Sequence, residues 1–113
     1  LHGIPLYDGD VEQGDGIPAA VAELKERIVG SAGVLLVTPE YNNGIPGVFK
    51  NAIDWLSRPA ADIPGGFGNR PFAVIGASPG GFGRIICQAG GRPVLGLRPG
   101  SRRAVGPAGG AWG

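Results

Sequence analysis

Two short polar loops hold most of the residues able to do chemistry: Thr38–Gly44 (T-P-E-Y-N-N-G) and Ser78–Gly83 (S-P-G-G-F-G). Glu40 is the one acid inside either loop. It reads as a general acid or base, or as a hydrogen-bonding or solvated loop carboxylate. Tyr41 is suited either to stacking on a ligand or to covering a sheet edge. Gly80, Gly81 and Gly83 permit positive φ and a close approach of backbone to a ligand. They lack the lysine and Ser/Thr of a phosphate-cradling Walker loop, and no G-x-G-x-x-G occurs. Ser78 lies outside any G-x-S-x-G elbow, and a hydrolase triad lacks its histidine, since His2 is terminal and alone. The single cysteine, Cys87, excludes an internal disulfide and a cysteine-only metal site, and no adjacent His or Asp activates it. The apparatus for hydrolysis and metal chemistry is therefore missing. What remains is a pocket of backbone groups, glycines and one aromatic ring, suited to a flat organic cofactor that carries the chemistry itself.

The elements that must position these loops are strands and helices in alternation. Val34–Val37 is a continuous apolar run of the kind seen in a parallel strand covered on both faces. After the first loop, Pro46 sits where a first helical turn tolerates it. Phe49, Ala52, Ile53 and Leu56 then recur at helical spacing, with Lys50, Asn51, Asp54 and Arg58 on the outer face. Asp54 and Trp55 read as helix-face and packing residues, and a tryptophan exposed there would equally mark an oligomer interface. Phe72–Ala77 is a second apolar run, preceded by the Gly/Pro-rich connector Ala60–Asn69. Strand, helix, strand at this spacing is a βαβ unit with parallel strands, so both polar loops emerge on one edge of the sheet. Open α/β sheets bind their ligands at such an edge. Upstream, Leu1–Gly16 reads as a surface loop rich in acids and turn residues. The chain opens in mid-loop without methionine, which predicts that an N-terminal segment is missing. Pro18–Val29 reads as a helix with Ile17, Ala20, Val21, Leu24 and Ile28 in one stripe, a Glu23–Arg27 pair outside, and Gly30 as the stop.

The 113 residues provide for one small domain with a modest core. An apolar fraction of 42% suits a globular fold, but 23 glycines and 11 prolines exceed ordinary usage. Net charge is +1, with all nine acids at or before Asp62 and five arginines beyond Gly83. The chain thus divides into an acidic globular part, residues 1–83, and a Gly/Pro/Arg-rich tail, residues 84–113, read as disordered or translated out of frame. Arg102-Arg103 lacks aromatic interleaving and a fold to present it, so nucleic-acid binding is not expected. Apolar runs reach about five residues, against the roughly 18 of a membrane span, so no membrane span is expected and the cytoplasm is the default.

The stretch T-P-E-Y-N-N-G-I-P-G-V-F-K-N-A-I-D-W-L-S-R-P, with I-P-L-Y-D-G-D-V-E before it and A-S-P-G-G-F-G after it, strongly resembles the NADPH-dependent FMN reductase family of flavodoxin-like quinone, chromate and azo-compound reductases. The resemblance covers about Ile4 to Gly83. It implies an α/β fold, a flavodoxin-like three-layer parallel sheet of order 2-1-3-4-5, incomplete because the first strand and its phosphate-binding loop are absent. It further implies FMN at the C-terminal ends of the strands, with Pro39, Glu40, Tyr41 and Asn42 holding the ring largely through backbone groups. Ser78, Gly80 and Gly81 match the second flavin loop. NADPH or NADH would donate electrons, and a small-molecule, quinone-like acceptor would receive them, without a catalytic acid or base. Arg58 and the helix before it match a region used in homodimer and homotetramer contacts. Without the phosphate loop, weak or no FMN binding by this chain is expected. The alternative is a non-enzymatic flavodoxin-like fragment, acting as an oligomerisation module.

Overall fold

The computed structural model describes residues 1–66, 70–77 and 103–104. Its elements in order are α1 (Gly9–Gly14), α2 (Ala19–Val29), β1 (Val34–Pro39), α3 (Gly47–Leu56), a 3-10 turn (Ala60–Asp62), α4 (Ile63–Gly66), β2 (Phe72–Ala77) and β3 (Arg103–Ala104). β1 and β2 pair in parallel over six positions, from Val34↔Phe72 to Pro39↔Ala77. This is the expected strand–helix–strand unit. β3 adds a short parallel pairing, Phe72↔Arg103 and Ala73↔Ala104, on the far side of β2. A ladder made by backbone groups needs no apolar pattern, and the sequence shows none there. The reading of residues 84–113 as a tail otherwise lies outside the described residues.

Close contacts hold the starts of β1 and β2 together. Val34 N–H donates to Pro71 O at 3.0 Å, and a Cβ on Gly33 would stand 3.1 Å from Pro71 Cγ and 3.2 Å from its carbonyl oxygen. Gly33 therefore permits the two chains to approach. Arg70 reinforces the junction by donating to Ser31 O and Val29 O.

The core lies among α2, α3 and the N-terminal segment. Val21 and Trp55 are fully buried and Leu56 nearly so, with Ile4, Tyr7, Val11, Ile17, Leu24 and Ile28 packed around them. The α2 stripe read from the sequence is thus present except for Ala20, which is exposed. Glu23 and Arg27 form the expected pair at 2.6 Å, largely in solvent, where such a pair contributes little.

Three readings are corrected. Residues 9–14 form a helix instead of part of a loop, because the Asp8 side chain accepts from Asp10 N–H at 2.9 Å and Asp10 and Glu12 lie in its first turn. Asn51 faces inward, not outward. Its Oδ1 accepts from Tyr7 N–H at 2.8 Å and its Nδ2 donates to Pro5 O at 2.9 Å, while Trp55 Nε1 donates to the same carbonyl at 2.8 Å. One turn of α3 thereby grips the N-terminal segment through the Pro5 carbonyl and the Tyr7 N–H. Finally, β1 is not buried on both faces among the described residues. Thr38 is buried, whereas Leu35 and Val37 are 58% and 63% exposed, and burial alternates along the strand.

The Tyr7 ring meets Trp55 edge-on at 5.0 Å between centroids, lies under the Arg58 guanidinium at 5.2 Å, and its hydroxyl donates to Glu12 Oε2 at 2.8 Å. That hydrogen bond to Glu12 is the main reason the phenol pKa is raised above 10.0. A raised native pKa favours the neutral phenol, so its contribution to stability is complete below the unfolded value and disappears as pH rises through the native one. In a Tyr41→Phe background, absorbance titration should place Tyr7 above pH 10, and adding Glu12→Gln should return it toward 10. Asn51→Ala, which strands the Tyr7 N–H, should cost about 1–3 kcal/mol in urea unfolding.

Candidate functional site

The site begins where β1 ends. Pro39 closes the strand opposite Ala77 of β2, so the segments that follow both strands leave from the same edge. The chain then reverses at once. Tyr41 and Gly44 exchange two backbone hydrogen bonds of 3.0 Å each. Asn42 and Asn43 between them have φ of 50° and 61°. Two positive-φ residues inside a two-residue turn are the type I′ pattern, and asparagine tolerates that region better than other side-chain-bearing residues. Asn43 is thus a structural partner of Asn42 that the sequence reading left out, although the N-N-G run carries the signal.

This hairpin determines what the loop offers. Tyr41 is 62% exposed, so its ring does not seal the sheet edge and presents an open aromatic surface. Glu40 differs: its Oε2 is buried and has no hydrogen-bond partner among the described residues. Just before it, Thr38 Oγ1 donates to Pro39 O at 2.8 Å, which ties the strand end to itself. α3 starts after Pro46, which is buried and makes no side-chain cap. Its first-turn amides bring partial positive character beside the hairpin in sequence. Lys50 is paired with Asp54 at 2.6 Å along the helix.

Of the residues expected at the site, Pro39, Glu40, Tyr41 and Asn42 are therefore brought together on the C-terminal edge of the sheet. Ser78, Gly80 and Gly81 lie outside the described residues. So does Cys87. Arg58 is not at this edge: it is engaged with Tyr7 and Glu12, and its carbonyl accepts from Lys25, whose Nζ also reaches Asp62 Oδ2 at 2.9 Å. Among the described residues no group of His, Cys, Asp and Glu could hold a metal ion. The arrangement offers loop amides, one open aromatic face and one unpartnered carboxylate oxygen. Replacing Asn43 by valine should open the hairpin by about 1–2 kcal/mol. Hydrogen exchange at Gly44 N–H should then accelerate roughly tenfold, whereas Asn43→Gly should leave it unchanged.

A model of the NADPH-dependent FMN reductase family matches residues 1–106, beyond the Gly83 at which the sequence resemblance stops. A quinone reductase of Escherichia coli (strain K12) is 48% identical over 92 residues, which are 81% of this chain and 47% of that protein. A 2-hydroxy-1,4-benzoquinone reductase of a Burkholderia species is 42% identical over 89 residues, 79% of this chain and 46% of the relative. An NAD(P)H-dependent FMN reductase of Pseudomonas aeruginosa is 47% identical over 88 residues, 78% and 45% respectively. Among solved structures, the flavoenzyme FerB, an NAD(P)H:(acceptor) oxidoreductase from Paracoccus denitrificans, superposes with a TM-score of 0.76 at 39% identity. That match covers 95% of this chain and 57% of FerB. The chain thus spans about half the length of the curated relatives it matches. It belongs to the NADPH-dependent FMN reductase family, and its described residues form part of that family's flavodoxin-like α/β fold.

Proposed function

We propose that this chain carries the ring-facing side of an FMN site in an NAD(P)H-dependent oxidoreductase that reduces a quinone-like small molecule. The observation that supports it best is the Pro39–Gly44 hairpin at the C-terminal edge of two parallel strands, in a member of this family. The residues present suit a flat, amide-rich heterocycle. Tyr41 offers an exposed ring for stacking, the loop backbone offers donors and acceptors, and Glu40 holds an acceptor oxygen that lacks a donor.

Bound there, FMN supplies hydride acceptance from reduced nicotinamide and delivery of electrons to the acceptor. The chain's own residues bind and orient. Pro39, Glu40, Tyr41 and Asn42 hold one edge of the ring, and Ser78, Gly80 and Gly81 after β2 complete the loop pair. No side chain is assigned as a catalytic acid or base, and donor and acceptor visit the same open side in turn. The relatives named as quinone reductases support the acceptor class. A homodimer or homotetramer in the cytoplasm belongs to the same proposal.

With FMN in excess, NADPH consumption should require the chain, FMN and a benzoquinone together, and should exceed the rate of the protein-free mixture. A rate equal to that of the protein-free mixture would contradict the reading. Tyr41→Ala, by removing a stacking surface worth about 0.5–1.5 kcal/mol, should raise the FMN concentration needed for half-maximal rate several-fold.

A further inference from the structure

Asparagine stands at positions 42, 43, 51 and 69, and only Asn43 is followed by glycine. An asparagine loses its side-chain amide when the backbone nitrogen of the next residue attacks its Cγ. A follower without a Cβ leaves that path open. The fold separates the candidates further. Asn51 is buried in α3, its Oδ1 accepting from Tyr7 N–H and its Nδ2 donating to Pro5 O. Asn42 is followed by Asn43, whose side chain crowds the attacking nitrogen. Asn69 lies outside the described residues and is followed by arginine. Asn43 is exposed in the turn of the hairpin, with φ of 61°.

The closed hairpin restrains the attack. Gly44 N–H donates to Tyr41 O at 3.0 Å, so the nitrogen that must attack is held with its proton in place. Hydrogen bonds of an exposed loop open locally at a small fraction of the cost of global unfolding. We infer that Asn43 is a self-modification site, at which Gly44 N closes a cyclic imide whenever the Tyr41–Gly44 bridge opens. In that step Gly44 N gives its proton to solvent and bonds to Asn43 Cγ. The Cγ–Nδ2 bond breaks, and ammonia leaves with a proton from water. Water then adds to either imide carbonyl. Breaking the new N–Cγ bond gives aspartate at position 43, and breaking the original peptide bond gives isoaspartate. No oxidant or reductant enters. Isoaspartate routes the main chain through Cβ and so lengthens a two-residue turn by one backbone atom. Either product puts a new carboxylate three residues from Glu40. The hairpin thereby carries a chemical clock that anything seated on it would slow.

Incubating the full chain in mildly alkaline buffer, folded and in urea, with peptide mapping by mass spectrometry, tests this. Isoaspartate is detected separately, by carboxyl methylation with an isoaspartyl methyltransferase. Conversion at position 43 is expected in both samples, roughly tenfold or more slowly in the folded one. No conversion there in the folded chain overturns the inference, as do equal rates in the two samples or earlier conversion at Asn42 or Asn51. Two variants probe the gate. Asn42→Val forces a β-branched residue into positive φ, so it should open the bridge and speed conversion up to roughly tenfold, whereas Asn42→Gly should not speed it. Gly44→Ala adds a Cβ 3.8 Å from Tyr41 O, an ordinary contact, so exchange protection at position 44 should persist. Conversion in that variant should nevertheless slow roughly tenfold, because the added methyl group hinders the attacking nitrogen. An unaltered rate in either Asn42→Val or Gly44→Ala overturns the inference. Excess FMN should also slow conversion, and this arm alone rests on the flavin reading above. A rate indifferent to FMN contradicts that reading and leaves the modification site standing.

Discussion

The parallel ladder between β1 and β2 is the constraint on which the rest depends. Six consecutive pairs bring Pro39 beside Ala77, so whatever follows each strand leaves from one edge. Parallel strands cannot be joined by a tight turn, so the intervening chain must cross back through a helix. α3 is that crossover, and Asn51, Trp55 and Leu56 on it are buried. Where the ladder starts is equally determined: Gly33 lets Pro71 approach, and Arg70 ties β2 to the end of α2 through two carbonyls. A side chain at Gly33 would move that start, and with it the relative height of the two loop origins at the opposite end.

α3 links the site edge to the rest of the domain. Its N-terminus follows the hairpin, while Asn51 and Trp55, one turn apart, hold the carbonyl of Pro5 more than forty residues upstream in sequence. Trp55 is fully buried, and a buried tryptophan removes on the order of 150–250 Å² from water, so it dominates this small core. Tyr7, Glu12 and Arg58 close around it. The motif I-P-L-Y-D-G-D-V-E thus serves as an anchor for α3, and the K-N-A-I-D-W motif is its receptor. By contrast, Leu35 and Val37 lie open on the other face of β1. The two faces of this strand are therefore held in very different surroundings.

Much of this was legible in the residues. The apolar runs at 34–37 and 72–77 and the helical stripe between them predict the βαβ unit, and the P-E-Y-N loop follows β1 at the C-terminal edge of the pair, as expected. What was not legible depends on distant partners. Asn51 reads as a solvent-face residue because a polar side chain in a helical pattern usually is one, and only Pro5 and Tyr7, 46 and 44 residues away, turn it inward. α1 is short and both begins and ends with glycine, so its Asp8 cap outweighs a composition that favours a loop. The exposure of one face of β1 follows from what packs against it, which an apolar run does not reveal. The missing partner of Glu40 is likewise a property of three dimensions: sequence marks the acid, and only the fold shows that one of its oxygens is buried without a donor.

We propose that the flavin ring is held at the C-terminal edge of β1 and β2. Amide chemical-shift mapping of the isotopically labelled chain during titration with FMN tests it most directly. Shifts concentrated at Glu40–Gly44 and Ala77, with the Tyr7–Trp55 region and α2 unchanged, are the predicted result. Shifts centred on α2 or the N-terminal segment, or none at saturating FMN, would contradict it.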